Sequence, residues 1–286
     1  MLQRISQTVF KGVSWKHPII AAGLRVVDPI DKLVRSLANR GHYPPMSIRV
    51  RSNGLRNQFN GKRFSELGGI LHDELVARAG LTPQLKVLEI GCGCGRFAFA
   101  FAPKMDDNAY TGVDIDRPSI ASAKSNAYLQ RKKFAFHHLD VHNAEYNPNG
   151  KYSAEEYRFD LDDNSFDVVF LVSVFTHMLP ADVKNYIKEI GRMLKSGGHV
   201  MFTTFIMDAG THFDGNDFKY GSGPYRSSHP EMHEICIGYY LDFLDECLAE
   251  AKLERVSGPV YSTKGRKVPN VETTAFDQDL IIARKN

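Results

Sequence analysis

Residues 87–96 constrain this chain more than any other stretch. An apolar run, Val87-Leu88-Glu89-Ile90, passes straight into Gly91-Cys92-Gly93-Cys94-Gly95-Arg96, and a second apolar run follows. Glycine at alternate positions lets the backbone turn sharply and approach a ligand closely. The helix that opens behind it offers free N–H groups. The spacing also excludes. The dinucleotide fingerprint G-x-G-x-x-G needs glycine at position 96, where Arg96 stands, and no Lys-Ser/Thr follows as in a phosphate-binding loop. What stands here is E-x-G-x-G-x-G between a strand and a helix.

From residue 86 strands alternate with helices, the pattern of an open parallel α/β sheet. Strands are predicted over 86–91, 109–114, 134–139, 166–172 and 199–205. Helices are predicted over 97–102, 119–132 and 181–194, the last stopped by Ser196-Gly197-Gly198. Residues 207–234, rich in Gly, His, Asp and Ser, are too long for a plain connection and are expected to form a lid. A helix over 239–251 and strands over 253–260 and 277–283 complete the pattern. Upstream, Asp28-Pro29 reads as a helix start and 39–41 as its end. Its face of Ile30, Leu33, Val34 and Leu37 implies packing against a neighbour. A second helix is expected over 64–79, with Leu67, Ile70, Leu71, Leu75 and Val76 as its buried stripe. The expected organisation is a helical N-terminal extension over 1–66 and one α/β domain over 67–286.

Charge separates the same two parts. The chain has 286 residues and a formal charge of +3, yet residues 1–66 hold 12 Lys and Arg against three acids. That net +9 leaves −6 for the other 220 residues. Such an arm can recruit an anionic acceptor, rest on an anionic membrane surface, or dock against the acidic body. Four cysteines without C-x-x-C spacing argue against disulfides and zinc, and no metal is expected. No apolar run approaches the ~18–20 residues of a spanning helix. The expected location is cytoplasmic, with contact at the membrane surface left open.

At Glu89-x-Gly91-x-Gly93-x-Gly95 the chain resembles the class I S-adenosylmethionine-dependent methyltransferases, and the likeness extends in the family's order from Lys86 to the C-terminus. Asp114, ending Tyr110-Thr111-Gly112-Val113-Asp114, matches the family's second acid. Asp140-Val141 follows strand three, Asn164-Ser165-Phe166-Asp167 enters strand four, and Lys195-Ser196-Gly197-Gly198 precedes strand five. The resemblance implies a Rossmann-like methyltransferase fold: a mostly parallel seven-stranded sheet with helices on both faces, plus the N-terminal helical extension. It implies S-adenosylmethionine as cofactor, held by Glu89, Gly91, Cys92, Gly93, Asp114, Ile115, Asp140, Val141 and Ser173. Asp114 would take both ribose hydroxyls, as a carboxylate can. Asp140 would lie near the adenine amine, and Cys92 would contribute its backbone. Glu89 is either a strand carboxylate satisfied by backbone N–H groups or an acid facing the cofactor's methionine end. Asp116 either duplicates Asp114 or caps the next helix.

The acceptor side is less determined. Ser173-Val174-Phe175-Thr176-His177 resembles a bacterial subgroup associated with sugars and surface glycans, and Gly265-Arg266 and Gln278-Asp279 resemble elements of it. His177 is the first candidate for a general base, with His229 or His233 as alternatives. The expected acceptor is a small molecule: a hydroxyl on a sugar, glycan precursor or lipid-linked metabolite. Nucleic acid is disfavoured, because Ser173-Val174-Phe175 is not the Asn/Asp-Pro-Pro-Tyr/Phe of amino-methylating DNA enzymes and the arm holds no obvious RNA-binding module. The alternatives are a nucleic-acid methyltransferase gripping phosphates with its arm, and a non-catalytic S-adenosylmethionine-binding module.

Overall fold

A computed structural model describes residues 17–55, 58–209, 212–213, 216–263 and 271–286. Arg56, Gly265, Arg266 and the arm before His17 lie outside the described residues, as does the side chain of His212. The chain forms two compact units. One groups the described residues up to Asp73 with Cys92–His138, and the other groups Glu74–Gly91 with Leu139–Asn286. These bounds do not coincide with the 66/67 division expected from charge.

Seven strands make up the principal sheet: β1 (Val87–Ile90), β2 (Tyr110–Asp114), β3 (Ala135–His138), β4 (Phe166–Leu171), β5 (Leu194–Thr204), β6 (Leu253–Arg255) and β7 (Asp279–Lys285). Their order is β6-β7-β5-β4-β1-β2-β3. β1, β4 and β5 run parallel, as do β2 and β3, while β7 runs antiparallel to both β5 and β6. The order reverses at β1, and in an alternating α/β chain that reversal places helices on both faces. Every residue of β1 is buried, including Glu89. Such two-sided burial is why the strand reads as a continuous apolar run.

Two departures from the expected boundaries have physical causes. β5 begins at Leu194, so Lys195-Ser196-Gly197-Gly198 lies inside the strand. The β4–β5 register shifts between Phe166 and Val168, and Lys195 Nζ pairs with both Asp167 oxygens at 2.8 and 2.9 Å. Gly197, at φ +78°, supplies the left-handed residue that such an irregularity uses. The helix expected to start at Asp28-Pro29 instead begins ten residues earlier. α1 (Pro18–Leu37) runs through Pro29. Asp28 caps a different helix, α2 (Met46–Asn53), accepting from Ser47 N at 3.0 Å and Ser47 Oγ at 2.5 Å. Its apolar face is exposed rather than packed, with Ile30, Leu33 and Leu37 each more than half accessible.

What α1 buries is charge. Asp31, Arg35 and Arg49 are all at most 2% exposed. Asp31 Oδ2 accepts from Arg35 Nε at 2.6 Å, and Oδ1 from Arg49 Nη2 at 2.9 Å and Asn60 N at 2.9 Å. Arg35 also donates to the carbonyls of Arg40, Gly41 and Tyr43, and Arg49 to those of Pro44 and Gln58. One carboxylate thus gathers the loop 38–45, α2 and the turn at 58–60. α3 (Lys62–Ala79) follows, burying Phe64, Leu71 and Leu75, and Gly68 leaves room for Ala100 of α4 (Arg96–Phe101). Val76, expected in the buried stripe, is exposed.

The other helices are α5 (Arg117–Ser125), α6 (Ala127–Gln130), α7 (Pro180–Met193) and α8 (Leu241–Glu250). The long insertion after β5 builds a small core of its own from Phe205, Met207, Phe213 and Phe218, and Tyr225–Ser227 pairs with Ile237–Tyr239. Among the described residues, no helix is long and apolar enough to cross a membrane.

The Asp31 cluster yields a stability prediction. Burial alone would raise this carboxyl's pKa, but hydrogen bonds and charge from Arg49 and Arg35 outweigh it and hold the group below its ordinary value. Asp31→Asn leaves two buried guanidiniums without their anion and is expected to cost about 3–5 kcal/mol in urea unfolding. In the wild type the same contribution is intact above the ordinary carboxylate range and is lost as pH falls below it.

Candidate functional site

The glycine turn is closed by hydrogen bonds to the end of β2. Cys92 N donates to Val113 O at 3.0 Å, and Gly93 N donates to Asp114 Oδ2 at 2.6 Å. Gly95 N returns to Cys92 O at 3.0 Å. Gly91, Gly93 and Gly95 have φ of +82°, +53° and +87°, which side-chain-bearing residues rarely adopt. Space is also short. A Cβ on Gly91 would overlap Val174, and one on Gly93 would overlap the Ser52 hydroxyl. The Cys92 N–H is taken by Val113, and its carbonyl accepts from Gly95 N. Cys94 is buried, and burial pushes its thiol up to about 12. It is therefore a neutral packing group.

Asp114 ends β2 with its carboxylate turned back onto the glycine turn. Its second oxygen, Oδ1, accepts from Asp116 N at 2.7 Å. Each oxygen thus carries one short backbone bond and keeps further acceptor capacity, which is the chemistry two neighbouring hydroxyls need. Burial pushes the carboxyl up to about 6, against the pull of the Asp116 and Gly93 N–H groups. Asp116 is the helix cap, its Oδ2 accepting from Ser119 N at 3.1 Å. Ile115 lies between them, its carbonyl 3.1 Å from His138 Nε2.

In the other unit, Glu89 is 1% exposed on β1, opposite Phe170 of β4. Asp140 and Val141 begin a loop that closes on itself. Lys151 N and Tyr152 N donate to Asp140 O at 2.9 and 3.0 Å, and Asn147 Nδ2 donates to Val141 O at 2.9 Å. Ser173, just past β4, adopts φ +58°. Its N–H donates to Thr203 Oγ1 at 2.8 Å, and that hydroxyl donates to Gln278 Oε1 at 2.5 Å. A strained residue held from β5 through a hydroxyl that Gln278 anchors in turn is a feature of functional sites, and composition carries no sign of it. Asp279, fully buried, accepts from Ile206 N and Ser262 N and fixes the adjoining sheet edge.

His177 sits in a short turn, Phe175–His177, after β4. Its Nδ1 lies 2.9 Å from the carbonyl of Glu234 and 3.7 Å from Glu145 Oε2. A carbonyl only accepts, so Nδ1 carries the proton and the lone pair is on Nε2. Asn143 Nδ2 donates to the His177 carbonyl at 3.1 Å, and Tyr146 meets the ring edge-on at 5.3 Å. Burial lowers the imidazole pKa, while Glu145 and the Glu234 carbonyl pull it up. The ring is therefore neutral at pH 7.

The alternative bases are engaged differently. His229 Nδ1 accepts from Met232 N at 3.0 Å, and His233 Nδ1 faces the Tyr225 hydroxyl at 2.7 Å. Reading the sequence missed Glu145, Asn143 and Thr203, for which there was no local signal beyond polarity in loops. It also missed Arg51 and Ser52 of the N-terminal segment. Among the described residues, no group of three or more His, Cys, Asp and Glu is placed to hold a metal.

Comparison with known proteins bears on the domain that carries these residues. A family model described as a methyltransferase domain matches residues 88–200. Over 132 residues the chain is 28% identical to the tRNA N(3)-cytidine methyltransferase METTL2 of Xenopus tropicalis, covering 44% of this chain and 35% of that protein. Over 181 residues it is 25% identical to the sterol 24-C-methyltransferase of Yarrowia lipolytica, covering 63% and 39%. The chain therefore spans little more than a third of the length of either relative. A chain from the complex between the Haloferax volcanii Trm112 methyltransferase activator and a methyltransferase superposes with a TM-score of 0.51 at 14% identity, over 82% of this chain and 96% of that one. That likeness concerns the fold.

METTL2 proteins of zebrafish (Danio rerio), chicken (Gallus gallus) and cattle (Bos taurus) match as well. The expectation that set nucleic acid aside is corrected by these tRNA-modifying relatives. The match over 88–200 and the strand order agree on one conclusion: residues 88–200 form a methyltransferase domain of the S-adenosylmethionine-dependent kind, and the cofactor of such a domain is S-adenosylmethionine.

Proposed function

We propose that the protein transfers a methyl group from S-adenosylmethionine to a hydroxyl of a small-molecule acceptor, with His177 as the general base. The observation that carries this reading is the orientation of His177. Its proton is committed to the Glu234 carbonyl on one side, which leaves a basic nitrogen on the other, and Glu145 stands 3.7 Å away to stabilise the imidazolium once it forms.

When bound, the cofactor supplies an activated methyl on a sulfonium with its leaving group built in. Asp114 would accept the ribose hydroxyls and Asp140 would serve the adenine amine, with Ile115 and Val141 as further cofactor-binding residues. Gly91, Cys92, Gly93 and Ser173 would bring backbone close to it, and Glu89 would face the methionine end. The chain's own task is alignment, which can contribute on the order of 7–11 kcal/mol, together with removal of the acceptor's proton. The segment 207–234 supplies the Glu234 carbonyl that fixes the base, which fits its expected role as a lid.

A second reading is favoured by the METTL2 relatives: transfer to a ring nitrogen of tRNA or another nucleic acid. The two readings differ in their need for a base. A hydroxyl must lose its proton as it attacks, whereas a ring nitrogen attacks with a lone pair it already has. Labelled S-adenosylmethionine is to be offered with a panel of sugars, glycan precursors and lipids, and separately with total tRNA. Label in the small-molecule fraction, falling about 100-fold or more in kcat for His177→Gln, is the outcome expected of the first reading. Label in nuclease-sensitive material that survives His177→Gln replaces it with the second.

Cofactor affinity is expected to depend on pH through Asp114. The hydroxyls donate to the ionised carboxylate, so binding favours loss of its proton. With that carboxyl at about 6 in the free protein, affinity is full above pH 7 and falls as pH drops through 6. It is expected to be about tenfold weaker at pH 5. Titration calorimetry from pH 5 to 8 measures it. Asp114→Asn should bind weakly at every pH with a flat profile, and a wild-type profile equally flat would remove Asp114 from the site.

A further inference from the structure

We propose that Arg51 is a positioning residue of the cofactor site, and that through it the basic N-terminal segment helps to bind the methyl donor. The inference rests on the reading that Asp114 accepts the ribose hydroxyls. The geometry is a short relay. Arg51, near the end of α2, forks onto Asp116, with Nε 2.7 Å from Oδ2 and Nη2 2.5 Å from Oδ1. Asp116 N then donates to Asp114 Oδ1 at 2.7 Å, and Gly93 N holds Asp114 Oδ2 at 2.6 Å. The neighbouring Ser52 places its hydroxyl against Gly93, in the space a Cβ there would need. Two consecutive residues of α2 thus touch both supports of the candidate ribose ligand.

The chemistry of the pair suits that role. A planar guanidinium bound to both oxygens of a carboxylate fixes its orientation as well as its charge, which a lysine ammonium does not do. The pair is largely shielded, with side-chain exposures of 24% for Arg51 and 11% for Asp116. Arg51 is not required for the helix cap, because Asp116 Oδ2 reaches Ser119 N independently.

Asp116 is also an anion beside Asp114, and it raises the affinity of Asp114 for its proton. The other groups around Asp114 are Cys94 in the glycine turn, neutral because burial pushes it up to about 12, and His138 at the end of β3, whose Nε2 meets the Ile115 carbonyl. Arg49 of α2, committed to Asp31, and Arg96 of α4 act on Cys94, while Arg51 is the α2 cation bound to Asp116 itself. Removing it leaves the Asp116 charge uncompensated, which favours protonated Asp114 and so opposes cofactor binding near neutral pH.

The test is S-adenosylmethionine binding to the full chain by titration calorimetry between pH 5 and 8, independent of any acceptor. Arg51→Met is expected to weaken binding about tenfold at pH 7 and to move the midpoint of the affinity profile up by about one unit. Arg51→Lys should restore the midpoint, because the charge returns, while recovering only part of the affinity. Asp116→Asn keeps a good helix cap and carries the test if Arg51→Met unfolds. The double variant should be no weaker than the worse single variant, because both remove the same link.

Arg51→Met binding within twofold of wild type at an unchanged midpoint overturns the proposal, as do losses that simply multiply in the double variant. Wild-type protein that does not bind S-adenosylmethionine overturns instead the cofactor reading beneath it. Wild-type binding with Asp114→Asn unimpaired overturns the role of Asp114.

Discussion

The carboxylate of Asp114 serves two masters, and much of the local architecture follows from that. It accepts the Gly93 and Asp116 N–H groups, and so holds the turn after β1 to the end of β2. In the proposed role it also keeps acceptor capacity for the two ribose hydroxyls. A carboxylate meets both demands because its two oxygens offer about four acceptor sites. The cost is desolvation. Burial pushes the group up to about 6, within reach of physiological pH, so its charge depends on what surrounds it. The glycines belong to the same constraint. Gly93 can turn its N–H onto Oδ2 because its φ is +53° and because nothing larger than hydrogen stands between it and Ser52. A substitution at Gly93 would therefore disturb the acid as well as the turn.

The parts legible in the sequence are those in which local pattern and tertiary demand agree. β1 and β4 are buried on both faces, so their apolar runs marked them. The E-x-G-x-G-x-G spacing fixed the turn, and Asp114 ended a strand where the family places its acid. Boundaries failed where a residue type had two uses. Asp28-Pro29 has the composition of a helix start, but Pro18 begins the helix first and Asp28 turns its carboxylate to Ser47 of α2. Lys195-Ser196-Gly197-Gly198 has the composition of a turn, but the Lys195–Asp167 pair and the shifted register hold it in β5.

Long-range partners left no trace in the pattern. The Glu234 carbonyl that sets the His177 tautomer lies 57 positions away, and the Gln278 oxygen behind Ser173 belongs to the other end of the chain. Ser173 shows the difficulty most directly. Its left-handed backbone is held from β5 and from the residue before β7, and nothing adjacent in sequence requires it. The apolar face of α1 is the reverse case. Its spacing is that of a helix, yet the face stays exposed, because α1 is anchored by Asp31 and Arg35 on the opposite side.

The charge of the N-terminal segment means something different once its cations are placed. Counted along the sequence, residues 1–66 carry +9, and that figure invites a phosphate-binding surface. In the structure, Arg35 and Arg49 are buried on Asp31 and a ring of carbonyls, and Arg51 is committed to Asp116. A guanidinium with its donors occupied in this way neither releases counterions to a polyanion nor contributes to the salt dependence of such binding. Among the described residues, the cations that remain exposed in the segment are Arg25, Lys32 and Lys62, with Arg40 and Arg63 partly so. Three of the arginines that make the segment look like a nucleic-acid arm are therefore structural: two assemble it, and one ties it to Asp116, two residues past the acid that ends β2. The likeness to tRNA-modifying enzymes stands on the domain itself and gains nothing from the raw charge count.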